Sequence, residues 1–264
     1  MKKLIALVLS LLAVSSLVAG CSSGKGTTVN SGEKSVTFSL LSSPASLDPA
    51  TTTDGHSLMV ETQLFSMLVE SKGGTSNEIK PDIAESWEIS EDGLTYTFKL
   101  RDDVYFHNGK LLTADDVVYT FNRVMTEPYT SYYAAPIKSV EATDEHTFVA
   151  HLNYPFADFL TLVGGIYFGI CCEEAITAGS DFMYKPVGTG PYKLEGGYIP
   201  GQAFKFVYND QYYGAEPDIK EINFKIQPDT NTAVISLQNG EVDFIPALTV
   251  NDIGTIENDE NLAL

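Results

Sequence analysis

The chain has 264 residues, 44% of them hydrophobic, so it is long enough to bury the core of one or two domains. It carries 16 lysines and arginines against 35 aspartates and glutamates, which gives a formal net charge of −19. That charge argues against nucleic acid or an anionic membrane surface as a partner, because both would repel the protein.

Residues 1–20 are predicted to be an export signal. Lys2 and Lys3 precede an apolar run that is short for a bilayer span and typical of a signal peptide. The run ends in LVAGC, which resembles the lipobox of bacterial lipoproteins and would make Cys21 the lipidated first residue of the mature chain. The alternative is an ordinary signal peptide followed by a chance cysteine. Residues 21–34 are polar and predict a flexible tether. The protein is therefore expected outside the cytoplasm, anchored to a membrane by acyl chains.

The first predicted elements are a strand, a loop, a helix and a hairpin. SVTFSLLS (35–42) is β-rich and predicts a buried strand, and SPASLDPA, with two prolines, predicts a loop. Apolar residues between Gly55 and Glu70 recur at helical spacing, which predicts a helix there. IAESWEIS and the alternating LTYTFKL flank a short turn at Asp92-Gly93, which predicts a β-hairpin.

A second helix is predicted to begin at Thr113, whose hydroxyl can cap it. Asp115 and Asp116 then occupy the first turn, where the helix dipole favours anions. Two strands are predicted around the turn 143–145. AFKFVYN and IKEINFKI alternate as strands, and a helix from Asn231 to Asn239 is followed by another short strand, EVDFIP. The polar residues after it are expected to be irregular.

His107 lies in the segment YTFKLRDDVYFHNGKLLTADDVVYTFNR among four aspartates, which raises the question of a metal or acid–base site. Two of the aspartates are explained by the helix start, and the other two fall in the turn after a strand. A metal site needs several ligands that converge at fixed spacing, and one histidine on a strand does not provide them. We therefore expect His107 to be structural. No metal or other cofactor is predicted, and no basic residue stands beside a serine as an acyl-transfer site would require.

Two further motifs leave alternatives open. Cys171 and Cys172 could form a vicinal disulfide outside the cell, but two small buried thiols are the favoured interpretation. Gly188-Thr189-Gly190 lacks the lysine and hydroxyl residue of a phosphate-binding loop. It is a candidate for ligand contact or for a crossing between domains, and the glycines could also serve only the backbone angles.

The segment from Lys80 to Arg123 resembles the signature region of the family-5 extracellular solute-binding proteins. These are the peptide- and nickel-type binding components of ATP-driven importers. Two further blocks resemble the family in the same order, Leu47-Asp48-Pro49 and Val187–Tyr192, and NGEVD (239–243) matches its later strand entry. The matching motifs within the signature are PD (81–82), AESW (84–87), DG (92–93), LR (100–101), FHNG (106–109) and TADDV (113–117).

The resemblance implies an α/β fold of the periplasmic-binding-protein type II, a two-lobed clamp with an extra domain on the first lobe. Residues 35–55 and 186–264 would form lobe one, and residues 56–185 would form the inserted α+β domain. Family members are longer, so the second lobe is expected to be missing from this sequence. A chain with one jaw is then expected to bind its ligand weakly or not at all.

The function implied is that of a lipid-anchored binding protein that captures oligopeptides outside the membrane and delivers them to the permease subunits of an importer. Nickel-chelate binding, a surface receptor without transport, and an inactive fragment are alternatives, and a secreted hydrolase is a further one. A monomer without enzymatic activity is expected. Candidate ligand contacts are Ser46 and Leu47 after the first strand, together with Gly188, Thr189 and Gly190.

Overall fold

The computed structural model describes residues 34–71, 78–179 and 181–264. The predicted export signal, Cys21 and the tether up to residue 33 lie outside these residues. The strands are β1 Lys34–Leu40, β2 Val69–Ser71, β3 Ile79–Pro81, β4 Ala84–Ile89, β5 Thr95–Leu100, β6 Ile137–Asp144, β7 Thr147–Leu152, β8 Tyr192–Leu194, β9 Phe204–Tyr208 and β10 Ile219–Ile226. The α-helices are α1 Gly55–Glu61, α2 Ala114–Thr126, α3 Phe159–Val163, α4 Glu173–Thr177, α5 Thr230–Gln238 and α6 Val250–Glu257, with a 3-10 turn at Ile166–Phe168.

One sheet, which we call the mixed sheet, has the strand order β1-β10-β9-β8. β1 runs parallel to β10, whereas the remaining neighbours are antiparallel. On its other side β1 meets the segment around Phe244, where the Ser39 N–H donates to the Phe244 carbonyl at 2.9 Å and the Asp243 N–H donates to Thr37 at 2.8 Å. β1 therefore lies between two parallel partners, as expected for an α/β sheet.

Helices cover both faces of the mixed sheet. α1 places Val60 in a core with Leu40 and Phe224, and on the opposite face α5 places Val234 in a core against which Leu41 packs. Successive side chains of a strand point to opposite faces, so Leu40 and Leu41 serve different helices. The adjacent apolar residues Leu40 and Leu41, at and just after the end of β1, are the sequence signature of this two-sided burial.

The second sheet, which we call the antiparallel sheet, has the order β4-β5-β7-β6 and packs against α2. The Phe121 ring of the helix lies 4.7 Å from that of Phe148, and both are fully buried. The predicted hairpin of β4 and β5 and the predicted helix start at Thr113 are confirmed. The Asp116 carboxylate accepts from the Thr113 N–H at 3.1 Å and so satisfies one of the free donors of the first turn.

Three predictions along the chain were wrong. The strand predicted at EVDFIP (241–246) is reduced to an isolated parallel bridge between Phe244 and Phe38. The helix predicted from Gly55 to Glu70 ends at Glu61, because the chain then turns to pair with another segment. There the carbonyls of Gln63 and Leu64 accept from Tyr192 and Gly190 instead of from a following helical turn. The residues expected to be irregular after 246 form α6, whose start is satisfied by the Asp252 carboxylate.

None of the helices in the described ranges is both long and apolar enough to cross a membrane.

Candidate functional site

The carboxyl ends of β1, β10 and the segment around Phe244 meet at one edge of the mixed sheet, which we call the carboxyl edge. The helices that follow β1 and β10 lie on opposite faces, so the two connections diverge from neighbouring strands. In open α/β sheets, ligands bind in the crevice that such a divergence leaves outside the strand ends. The topology therefore marks the region outside the ends of β1 and β10 as the candidate ligand site.

Ser42 and His56 face each other at the carboxyl edge. Ser42 follows β1 and is exposed, and His56 is the second residue of α1. The Ser42 hydroxyl lies 2.9 Å from His56 Nδ1. The expectation that no basic residue stands beside a serine was wrong, because the return of the chain into α1 brings together residues that are 14 apart in sequence.

The connection between β8 and β9 covers one side of this loop. Tyr198 is buried and its hydroxyl donates to the Pro44 carbonyl, while the Gly201 N–H donates to Ser43 Oγ at 2.7 Å. Gly201 has a φ of +83°, a conformation that glycine adopts without steric cost. Between these two anchors the Ile199 side chain is 55% exposed. The connection therefore forms a fixed rim of the carboxyl edge with an apolar side chain open to solvent.

Ser46 and Leu47, two of the predicted ligand contacts, are buried behind the carboxyl edge. Ser46 Oγ lies 3.0 Å from the Thr51 hydroxyl and accepts from the Asp48 N–H at 3.0 Å. The Leu47 N–H donates to the Met183 carbonyl at 3.0 Å. Both residues hold the loop in place, and their contact with a ligand stays a prediction.

Gly188, Thr189 and Gly190 cross directly over the chain at Leu64. A Cβ on Gly188 would lie 2.1 Å from the Leu64 carbonyl oxygen, and a Cβ on Gly190 would lie 2.6 Å from the Gln63 carbonyl oxygen. Only glycine permits backbones to approach this closely. Thr189 is fully buried, and the structure does not bring this segment into contact with Ser46 or Leu47 through any hydrogen bond of the described residues.

His107 holds this crossing segment with its backbone and with both ring nitrogens. Its N–H donates to the Gly188 carbonyl at 2.9 Å, and the Gly188 N–H donates back to Nδ1 at 3.3 Å. Nε2 lies 3.2 Å from the Gly190 carbonyl, so the neutral tautomer with the proton on Nε2 satisfies both contacts. Burial lowers the pKa of His107 from 6.5 to about 4. These contacts fit the structural role expected for His107.

Asp48 and Arg123 join the loop after β1 to α2. Two hydrogen bonds of 3.0 and 2.7 Å connect the guanidinium and the carboxylate, and both side chains are largely buried. Glu61 at the end of α1 is fully buried, and its carboxyl oxygens have no hydrogen-bond partner among the described residues. Burial, with the nearby charges of Asp48 and Asp54, raises the pKa of Glu61 to about 9. Glu61 is therefore neutral at pH 7.

Cys171 and Cys172 are both buried with free thiols, as the favoured interpretation predicts. Cys171 belongs to the core under the mixed sheet and Cys172 to the core of the antiparallel sheet. Successive residues of an extended chain point in opposite directions, so each thiol fills a different core. Desolvation raises the pKa of the Cys171 thiol well above its usual value, which keeps it unreactive.

Within the described ranges, no group of three or more histidine, cysteine or acidic side chains is arranged to hold a metal ion.

The family model for bacterial extracellular solute-binding proteins, family 5, matches residues 78–264. The chain belongs to this family of solute-binding proteins. It is 34% identical to heme-binding protein A of Haemophilus influenzae, over 84% of this chain and 45% of that protein. It is 31% identical to the dipeptide-binding protein of Escherichia coli, over 88% of this chain and 48% of that protein.

Solved structures agree on the fold. The periplasmic binding protein DppA from Helicobacter pylori, in complex with the peptide STSA, superposes with a TM-score of 0.79 at 30% identity, over 86% of this chain and 49% of that one. NikZ from Campylobacter jejuni, in complex with Ni(L-His), superposes with a TM-score of 0.74 at 29% identity, over 87% of this chain and 46% of NikZ. The fold is therefore the mixed α/β fold of the periplasmic binding proteins, as predicted from the sequence. The chain spans about half the length of the relatives that it matches.

Proposed function

We propose that this protein is the solute-binding lipoprotein of an ATP-driven importer and that it captures oligopeptides outside the membrane for delivery to permease subunits. The observation that carries the proposal is that the chain belongs to the family-5 solute-binding proteins, and the divergence of two helix connections at the carboxyl edge supports it. The E. coli relative binds dipeptides, and the H. pylori structure contains a peptide, which supports oligopeptides as the solute class.

Capture without catalysis is part of the same proposal. His107 has both ring nitrogens engaged with backbone groups, so neither is free to act as a base. The Ser42–His56 pair lacks a carboxylate on His56 Nε2 among the described residues, and such a carboxylate would be needed to orient the imidazole for attack by a serine. Both relatives named above are binding proteins.

The solute is proposed to carry a carboxylate. The peptide STSA ends in one, and the L-His of the nickel complex contains one as well. Nickel-chelate binding is the second candidate, and the likeness to NikZ in complex with Ni(L-His) favours it. Both candidates share this chemical group, so a carboxylate subsite is compatible with either.

The domain division expected from the sequence is proposed on the same footing. Residues 35–55 and 186–264, which include the strands of the mixed sheet and α5, would form lobe one, and residues 56–185, which include the antiparallel sheet and α2, would form the inserted α+β domain. The two sheets have separate cores, which supports this division. The crossing segment at Gly188–Gly190 and the Asp48–Arg123 pair would then connect them.

Two experiments test the proposal. Isothermal titration of the chain with tri-alanine, a mixed tripeptide pool and Ni(L-His), up to millimolar concentration, should show saturable heat with the peptides. Weak saturation is expected, and submicromolar affinity would refute the expectation that this chain binds its solute weakly. Saturation by Ni(L-His) alone would replace peptides with the chelate, and no saturation by either would favour an inactive chain over the proposal. Cells that express the chain with radiolabelled palmitate should label the wild type but not Cys21→Ser, and equal labelling of both would exclude Cys21 as the anchor.

A further inference from the structure

The carboxyl edge has very few side chains that could receive an anionic group. The segments that form it, including the start of α1, are 41–57, 195–203, 227–229 and 246–249, and none of them contains lysine or arginine. His56 is the one histidine in these loops. A carboxylate that binds there must therefore find its donors in His56, in hydroxyl groups or in backbone N–H groups.

The acidic side chains of these loops already have partners of their own. Asp48 is paired with Arg123, and Glu195 lies 2.7 Å from Lys205. Asp54 accepts from the Ser57 N–H at 3.0 Å and from the Thr52 hydroxyl at 2.7 Å, and these hydrogen bonds lower the pKa of Asp54 against the effect of burial. Asp229 accepts from the Thr232 N–H at 2.8 Å.

His56 differs from these groups because one end of its ring is held and the other is not. Nδ1 lies 2.9 Å from the Ser42 hydroxyl, which fixes the ring plane. Nε2 has no hydrogen-bond partner among the described residues, and the side chain is half-buried. When the serine hydroxyl donates to Nδ1, the proton of a neutral imidazole resides on Nε2, which then becomes a donor.

We infer that Ser42 and His56 form a carboxylate-recognition pair at the carboxyl edge. His56 Nε2–H donates to a carboxylate oxygen of the solute, and Ser42 is the positioning residue that fixes the ring and its tautomer. The inference rests on the proposed function, since it assigns a chemical role at the same candidate ligand site. It places the solute so that its carboxylate faces the loop between β1 and α1.

The test uses the chain with two probes that differ only in the group to be recognised, tri-alanine and tri-alanine amide, titrated at pH 7.0. A hydrogen bond to a charged carboxylate is stronger than one to a neutral amide. The wild type should therefore bind tri-alanine about tenfold more tightly than tri-alanine amide. His56→Ala should bind both probes with equal, weak affinity. Ser42→Ala should lose part of the preference, because the ring is no longer fixed.

The matched control is His151→Ala, since His151 lies on the antiparallel sheet and its Nε2 contacts Glu141 at 3.0 Å. This variant should keep the full preference for the free acid. Equal binding of acid and amide by the wild type would overturn the inference, and so would a preference that survives in His56→Ala; in both cases the proposed function stands. Failure of the wild type to bind either probe would count against the proposed function and this pair together. Urea unfolding curves of the variants confirm that each remains folded.

Discussion

Replacement of Gly188 by alanine should destabilise the protein strongly. The added Cβ would lie 2.1 Å from the Leu64 carbonyl oxygen and 2.7 Å from Cδ1 of Phe65, both far inside van der Waals contact. Since the nearest atom belongs to the backbone, a side-chain rotation cannot relieve the clash. The crossing segment must move away from Leu64, and the variant therefore tests whether this segment is held as tightly as the structure shows.

The magnitude follows from what the movement breaks. Overpacking of a filled site costs about 1–3 kcal/mol. The displaced segment also strains the two hydrogen bonds between Gly188 and His107, at about 1 kcal/mol each. We expect the free energy of unfolding to fall by about 3 kcal/mol or more. For a chain of this size that corresponds to a fall in melting temperature of roughly 6–12 °C.

Urea unfolding followed by circular dichroism at pH 7 and 25 °C measures this change. The matched control is Gly254→Ala, because Gly254 lies within α6 and a Cβ there meets nothing within 4 Å. Alanine is favoured over glycine inside a helix by about 1 kcal/mol, so the control should be neutral or stabilising. A Gly188→Ala variant as stable as the wild type would refute the close crossing and would leave ligand contact as the reason for glycine at this position.

Three further predictions concern buried charges and can be checked by the same unfolding measurements. Asp48→Asn should lower the free energy of unfolding by about 3 kcal/mol, because it leaves Arg123 buried without its charge partner. Asp103→Asn removes the exposed partner of Arg101 and should lower it by less than about 1 kcal/mol. Equal losses in the two variants would contradict the difference in burial. Glu61→Gln should stabilise the protein, because the pKa of the Glu61 carboxyl rises from 4.5 in the unfolded chain to about 9 in the folded one. The wild type keeps the stability due to this protonated carboxyl below pH 4.5. It loses that stability between pH 4.5 and pH 9, at about 1.4 kcal/mol of unfolding free energy per pH unit. The gain from Glu61→Gln should thus grow to about 3 kcal/mol at pH 7, and a gain independent of pH would argue against a neutral Glu61. The pKa of His107 is lowered from 6.5 to about 4 in the folded protein. Neutral His107 therefore contributes its full stability to the fold above pH 6.5, and this stability is lost as the pH falls to 4. The difference in stability between the wild type and His107→Asn should shrink over that interval, and a constant difference would exclude titration of His107.

Local patterns in the sequence predicted the elements whose causes are also local. The capping residue and acidic first turn predicted the start of α2 at Thr113, and strict alternation in LTYTFKL (94–100) predicted the strand that the structure shows as β5. The helix predicted to run to Glu70 failed because long-range pairing overrode local periodicity after Glu61. Apolar side chains after Glu61 can be buried in a continued helix or in a chain that turns away to pair with another segment. The spacing of apolar side chains alone could therefore not distinguish these two structures.

The candidate site depends on long-range contacts even more than the secondary structure does. The sequence singled out the loop after β1 and the Gly188–Gly190 segment, but Ser46, Leu47 and Thr189 turn out to be buried. The pair at the carboxyl edge, exposed Ser42 and half-buried His56, carried no motif and was missed.

The sequence by itself determined the family, the class of fold and most of the regular elements, because these depend on ordered motifs, periodicity and caps that neighbouring residues supply. Only the tertiary structure decided which groups meet. The return of α1 to the end of β1 sets Ser42 beside His56, and the crossing at Leu64 sets His107 against Gly188, 81 positions away. Such contacts depend on the path of the chain between distant residues, and no local interaction fixes that path.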